Sequence, residues 1–404
     1  MRAILIFLAI LFSVETFAEE EFISFRSNGD PLFGTFSYPD KEGPFPLVFM
    51  IHGAGSIDRD HSIPLTEDYI DCIFPELYNQ LVTPFKDIEE QLVKNGIAVY
   101  RFDKRTHLYD NSPELRPGTF IKDAVNGLKR LKEEAIIDDE NLFVLGFEQG
   151  GNFTPHVAQE VENVEGIINL ATPARPIDTV AAEQLRRFQF LCENPEEGDK
   201  LAESFYSKMQ QIRKKEAKED EIFDGHYVPF WEKWIALTDT TMEDFEHSDI
   251  SGLFLSGQTD YHIPLEDNFE QFRANLSPEQ YDFFSLEGLN HFFTPFDQPK
   301  AAEQVGDTIS AWIDEQGGLA ASIRKKDPPK EVKINFESDK ISIQALAPIH
   351  KTELLTATGK SIDEHFPQKE TFEIKKSKLR AGVPYLLRIF TSEKAYSTRF
   401  LITS

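Results

Sequence analysis

The sequence predicts an α/β protein, with a mostly parallel sheet and helices on both faces, followed by a small all-β domain. Three observations carry this. Short apolar, β-rich runs alternate with longer stretches of helical spacing through residues 19–320. Residues 176–248 form a helical excursion between two such runs, and from residue 331 the chain changes to short alternating runs separated by turn residues.

The N-terminus, MRAILIFLAILFSVETFA, has Arg2, an apolar run over residues 3–14 broken only by Ser13, and Thr16-Phe17-Ala18 in the manner of a cleavage site. Residues 1–18 are expected to be a secretory signal peptide, because so short a run cannot cross a bilayer. The mature chain is then expected to be secreted, periplasmic or on the cell surface. Residues 22–25 and 32–38 predict a leading antiparallel pair. Residues 47–51, 97–102, 142–147, 166–170 and 252–255 read as parallel strands buried on both faces. Residues 85–94 and 119–133 have helical spacing, and in the second Phe120, Ala124, Leu128 and Leu131 share a face. Two segments interrupt the alternation. Residues 61–84 are a long insertion; residues 176–248, with Trp231 and Trp234, are expected to cap the edge of the sheet where such sheets bind ligands. A linker over residues 321–330 leads to a small β-sandwich-like domain over residues 331–404, with strands expected at 332–336, 341–346, 352–357, 372–374, 385–390 and 397–402.

The 404 residues hold 42 Lys and Arg against 69 Asp and Glu, a net charge of −27. Such a chain lacks the basic face that displaces counterions from a phosphate backbone, so a nucleic-acid partner is excluded. The charge is uneven: residues 324–404 hold 16 basic and 10 acidic residues, a net of +6, and the first 323 carry 26 against 59, a net of −33. Cys72 and Cys192 stand alone, so no disulfide scaffold exists; both overhang the expected site, where a bridge locking the cap and two separate thiols are both open readings.

The chemistry-bearing motifs lie at the ends of the expected strands. His52-Gly53-Ala54-Gly55 follows the first, Gly146-Phe147-Glu148-Gln149-Gly150-Gly151 follows the third, Gly257-Gln258-Thr259-Asp260 follows the fifth, and Gly288-Leu289-Asn290-His291 follows residues 281–286. A strand–turn–helix with glycines on both sides of its central residue holds that residue, Glu148, on a strained turn above the sheet. The Gln149 N–H would pair with one from Gly53 or Ala54 to hold an oxyanion. Asp260 then His291, in that chain order, would be orienter and base. No His, Cys or Asp spacing reads as a metal site, and no cofactor motif is present.

These segments, together with HGAGSIDRD (52–60), PFKDI (84–88), GIAVYRFDKR (96–105), LATPARP (170–176) and LNH (289–291), resemble a bacterial α/β-hydrolase group of secreted esterases and serine aminopeptidase-like proteins over residues 45–315. The resemblance implies the α/β-hydrolase fold, a small-molecule ester-like substrate, and a Ser nucleophile with an Asp and a His. Asp260 and His291 fall on the last two positions; Glu148 stands where the pattern has Ser.

Three readings of Glu148 follow. The fold has lost acyl transfer and binds a ligand or partner without turnover, because a carboxylate attacking an ester gives an anhydride. Or Glu148 attacks an sp³ carbon, as in epoxide or haloalkane hydrolysis, with His291 and Asp260 activating water. Or Glu148 is a general base, or Ser56 or Ser256 supplies the hydroxyl. Asp58-Arg59-Asp60 and Asp103-Lys104-Arg105 suit a substrate carboxylate or, more commonly, clamp loops. His52 reads as a structural residue of the oxyanion loop and His262 as a surface loop residue; Trp231 and Trp234 line a pocket or pack a cap core.

The tail, with Leu379-Arg380-Ala381-Gly382 and the ending STRFLITS, resembles the C-terminal sorting domain of the type nine secretion pathway of gliding-type bacteria, although Val383-Pro384 lengthens the spacing from the glycine to the aromatic strand. That resemblance implies secretion machinery as a partner. The residues alone read equally as a small accessory domain.

Overall fold

The strands that read as continuous apolar runs are buried on both faces. The structure, a computed structural model, describes residues 18–65, 73, 77–109, 115–316, 332–336, 340–356, 361–367, 369–375, 384–391 and 395–401. The leader reading of residues 1–17 and Cys72 lie outside them. Among the described residues no helix is long and apolar enough to cross a membrane.

Strands β1 (Ala18–Ser27) and β2 (Asp30–Pro39) form an antiparallel hairpin. Its turn is Asn28-Gly29, both at positive φ, as a two-residue hairpin turn that follows strand twist requires. Next come β3 (Phe45–Ile51), the short pair β4 (Ile63–Pro64) and β5 (Leu81–Val82), α1 (Pro84–Lys94), β6 (Ala98–Phe102), α2 (Arg105–Leu108) and α3 (Pro117–Leu131). Proline opens both α1 and α3, where its missing N–H is not needed. Then follow β7 (Ile137–Phe147), α4 (Gln149–Glu160), β8 (Val164–Leu170), α5 (Ile177–Leu191), α6 (Pro195–Arg213), β9 (Ile222–Phe223), β10 (His226–Tyr227), α7 (Val228–Asp239), α8 (Thr241–Glu246), β11 (Ser251–Gly257), α9 (Phe269–Asn275), β12 (Tyr281–Leu286) and α10 (Glu303–Gln316).

Eight strands make one sheet in the order β1-β2-β6-β3-β7-β8-β11-β12. It is parallel from β6 to β12 and antiparallel at β1–β2 and β2–β6. Along β3, Leu47, Phe49 and Ile51 enter one apolar cluster with Tyr100, Leu128 and Phe153, while Val48 and Met50 enter the other with Leu92, Leu145 and Trp312. Both faces are thus covered, which is why the parallel strands inside the sheet show no alternation, whereas the edge strand β12 exposes Asp282 and Phe284. The chain runs outward from β3 to β6 and returns past β3 to β7, so the loops after β3 and β7 meet where such sheets place ligands.

Two glycines let those loops meet. A Cβ on Gly146 would lie 2.3 Å from Gly150 O, and one on Gly150 would lie 2.3 Å from Ile51 O. Backbone atoms cannot yield as a side-chain tip can. Gly146→Ala and Gly150→Ala are each expected to destabilise the protein by about 3 kcal/mol or more, read as a lowered urea midpoint. Within α4, Pro155 leaves the Gly151 carbonyl without its helical donor, and the Thr154 hydroxyl donates to it at 2.9 Å.

The helical excursion comprises α5 to α8. In the C-terminal region, β13 (Val332–Phe336), β14 (Lys340–Thr356), β15 (Ser361–His365), β16 (Lys369–Lys375), β17 (Pro384–Thr391) and β18 (Ala395–Leu401) pair antiparallel in one hydrogen-bonded sheet. The runs 341–346 and 352–357, expected as two strands, fall in the single strand β14 as far as Thr356, and residue 357 lies outside the described residues. Pro348 in the middle of β14, which has no N–H to give, coincides with a register shift against β16 rather than a turn. The polar strand β15, SIDEH, carries no apolar alternation to announce it.

Candidate active site

Glu148 sits between β7 and α4 with φ 49° and ψ −114°. This left-handed backbone at a residue with a Cβ is a strained elbow, a conformation that costs about 1–3 kcal/mol and is held by its surroundings. Here Glu148 N donates to Leu170 O at 2.8 Å and Glu148 O accepts from Gly151 N at 2.9 Å. The side chain turns toward the loop after β3, where Glu148 Oε2 accepts a hydrogen bond from Ala54 N at 2.7 Å. Gly53 faces the same oxygen, which a Cβ there would approach to 2.7 Å. Gln149, buried, is the first residue of α4, whose opening N–H groups have no partner within the helix. The Ala54 N–H expected to face an oxyanion thus faces a resident carboxylate.

His291 and Asp260 come together as expected. His291 Nδ1 lies 2.9 Å from Asp260 Oδ2, both residues buried. The other Asp260 oxygen accepts from His262 N and Ile263 N, each at 2.8 Å. A carboxylate fixed in this way holds the imidazole with its Nδ1 proton toward the aspartate.

The Lys104 ammonium, buried beside the elbow, belongs to a charged triplet that the sequence offered to a substrate carboxylate or to a loop clamp, with no expectation of a role beside the oxyanion loop. It donates to Gly53 O at 2.5 Å and to Gln149 Oε1 at 3.1 Å, and lies 4.9 Å over the Phe120 ring. Gly53 O and Ala54 N belong to one peptide group, so the ammonium polarises the same peptide whose N–H reaches Glu148. Burial pushes the Lys104 pKa down to about 8, opposed by the charge of Glu148.

A cavity of about 290 Å³ opens over these groups, lined by Ala54, Ile57, His61, Ile63, Ile73, Phe147, Glu148, Gln184, Phe188, Tyr261, His262, His291 and Phe292. Gln184 and Phe188 come from α5, so the helical excursion supplies part of its wall. His262 is no surface residue: its ring stacks on His291 with centroids 4.4 Å apart and planes 12° apart. Burial, reinforced by His291, holds the His262 pKa well below the usual histidine value. His61 is also buried, and its pKa is pushed down to about 3 by burial, with His291 and Lys104 adding to it. His52 packs its ring against Phe85, Phe102 and His61. Three histidines around one carboxylate carry no metal-like sequence spacing, and among the described residues no group of His, Cys, Asp and Glu is arranged to hold a metal ion.

The remaining candidates lie elsewhere in the hydrogen-bond network. Ser56 Oγ donates to Thr106 O at 3.0 Å and Ser256 Oγ to Gly257 O at 3.4 Å, so neither hydroxyl faces the His291–Asp260 pair. The charged triplets clamp loops. Arg59 binds Asp103 through its backbone N (2.9 Å) and Nε (3.0 Å), and Asp58 Oδ1 accepts from Asp60 N and Ser62 N. Arg105 grips Asp123 with a two-pronged contact at 2.8 and 2.7 Å and donates to Ser27 O. With both partners buried, Asp123→Ala is expected to lower unfolding free energy by about 3–5 kcal/mol, measured by urea titration. Trp231 and Trp234 stack on one another with centroids 5.6 Å apart in α7, as part of the core; Trp234 also lines a second, smaller cavity. Cys192, which caps α5, is disulfide-bonded; Cys72, the other half of the expected bridge, lies outside the described residues.

Strand order, the glycine-flanked strand–turn–helix elbow and an Asp-then-His pair at strand ends together define an α/β-hydrolase fold, with a β-rich C-terminal region beside it. The chain is esterase-like in sequence. It is 27% identical over 313 residues to Esterase EstD of Thermotoga maritima, a match covering 74% of this chain and 68% of that one. No family model matches it. Among solved structures, the esterase domain of a Rhodothermus marinus protein aligns with TM-score 0.46 and 15% identity, covering 74% of this chain and 98% of that one. Est1E from Butyrivibrio proteoclasticus aligns with TM-score 0.46 and 16% identity, over 73% and 98%.

Proposed function

We propose that this protein is a secreted, esterase-like α/β-hydrolase that binds a small ester-like molecule without turning it over by acyl transfer. The observation that carries this reading is the 2.7 Å contact from Ala54 N to Glu148 Oε2. Acyl transfer needs that N–H for the oxygen of a tetrahedral intermediate, and a charge-assisted hydrogen bond to a tethered carboxylate competes for it. The same carboxylate lacks the hydroxyl that would form a hydrolysable ester. The sequence likeness to Esterase EstD supports the ester-like class of ligand. The apolar leader supports export, and an exported protein whose first residue is Glu19 on N-terminal sequencing is the expected result.

The intact His291–Asp260 pair beside Glu148 favours a second reading, in which Glu148 attacks an sp³ carbon and His291 activates water. Against it, the extra methylene of Glu relative to Asp shifts the attacking oxygen by about 1 Å, a costly misplacement. Wild-type protein assayed with p-nitrophenyl esters, epoxides and haloalkanes separates the two. The first reading expects no turnover of any. Turnover of an epoxide or haloalkane that is lost in Glu148→Gln, or a covalent adduct trapped in His291→Gln, would establish the second.

A further inference from the structure

The Asp260 hydrogen bond fixes where Nδ1 of His291 sits, but one bond does not fix the tilt of the ring. The last torsion of a histidine side chain has broad minima, so the ring plane is set by what packs against it. Three rings do so. Phe147 and Phe292 meet His291 steeply, with planes 63° and 69° from its own and centroids 5.0 and 5.3 Å away. His262 alone among the described residues lies flat on it, 12° from parallel at 4.4 Å.

His262 braces the other half of the pair as well. Its backbone N donates at 2.8 Å to Asp260 Oδ1, the oxygen opposite the one that His291 approaches. His262 is in turn fastened to the helical excursion. Gln184 Nε2 donates to His262 O at 3.3 Å, and the Phe188 ring lies 4.5 Å from the imidazole. Arg187 Nη1 donates to the preceding carbonyl, Tyr261 O, at 3.2 Å, and all three side chains come from α5. Burial keeps the His262 ring uncharged, so it lies against a base that gains a proton without repelling the charged form.

We propose that His262 is the positioning residue of the His291–Asp260 pair. Its flat face sets the plane of the His291 imidazole, and with it the direction of Nε2, the nitrogen left for proton transfer. The role rests on the reading of His291 as the base of an esterase-like site.

Two measurements test it, and the second stands apart from that reading. Leucine at position 262 fills the space of the imidazole without a flat face; phenylalanine restores a flat face without the nitrogens. In Glu148→Ser, adding His262→Leu is expected to lower kcat for p-nitrophenyl acetate by about tenfold, because a 1 Å misplacement of a reacting group costs about 100-fold and a tilted ring misplaces Nε2 by a fraction of that. Adding His262→Phe instead should leave kcat within about twofold of Glu148→Ser. In protein with Glu148 intact, ¹³C relaxation at His291 Cε1, assigned by the loss of its signal in His291→Gln, is expected to give a lower order parameter in His262→Leu than in wild type or His262→Phe. An unchanged kcat on adding His262→Leu, a loss as large with His262→Phe, or a His291 ring as ordered in His262→Leu as in wild type overturns the assignment. If Glu148→Ser itself cleaves no ester, the acyl-transfer reading fails, and the relaxation measurement alone decides the role of His262.

Discussion

Glu148→Ser is expected to raise the rate on short p-nitrophenyl esters by at least about 100-fold over wild type. One substitution supplies the hydroxyl and also frees Ala54 N–H, and a single oxyanion donor is worth about 10²–10³ in kcat. The backbone need not move, since Glu148 already has the elbow conformation and His291 is already oriented by Asp260. Glu148→Ala is the control: it frees the N–H without adding a nucleophile, so it should stay inert. Equal activity in the Ser and Ala variants, or hydrolysis by wild type at the Ser variant's rate, would remove the proposal that Glu148 withholds catalysis.

The second large effect belongs to Lys104. In the Glu148→Ser background, Lys104→Met is expected to lower kcat/KM by about tenfold or more, because the ammonium polarises the Gly53–Ala54 peptide and ties it to Gln149. The sign with pH follows from burial. In wild type the ammonium is lost as pH rises through about 8, and Glu148 is the group that holds the value up. Removing the Glu148 charge therefore moves the loss to lower pH. Esterase activity of Glu148→Ser should fall on the alkaline side with a midpoint below about 8, and Lys104→Met should lack that fall. His52, His61 and His226 also feel the Lys104 charge, but all three rings are held neutral through this range, so they add no competing charge change. A retained alkaline fall in Lys104→Met would assign it to another group.

Local patterns made much of this legible. Five of the six parallel strands, β3, β6, β7, β8 and β11, were visible as apolar runs, because a strand covered on both faces admits few polar residues; the edge strand β12, with Asp282 and Phe284 exposed, was not. The elbow was visible because only glycines tolerate the approach of β3 to α4. The role of Lys104 was not, since a lysine between Asp103 and Arg105 looks like one more member of a loop-clamping charge cluster. Only the tertiary fold separates the three: Asp103 to Arg59, Arg105 to Asp123, and Lys104 inward alone. His262 was missed for a similar reason, because its stacking on His291 joins residues from two different strand ends. In the C-terminal region, a proline within β14 looked like a turn, because sequence marks the lost N–H but not whether a neighbouring strand needed it.

The contact between Glu148 and Ala54 has a further consequence for what can compete at this site. A carboxylate held by its own backbone is an intramolecular rival, present at an effective concentration that no dissolved acid reaches. Free carboxylic acids, the products that slow an ordinary esterase, should therefore be poor ligands here. A neutral molecule that leaves the Ala54 N–H to Glu148 pays no such penalty, so the protein should discriminate an intact ester from its acid.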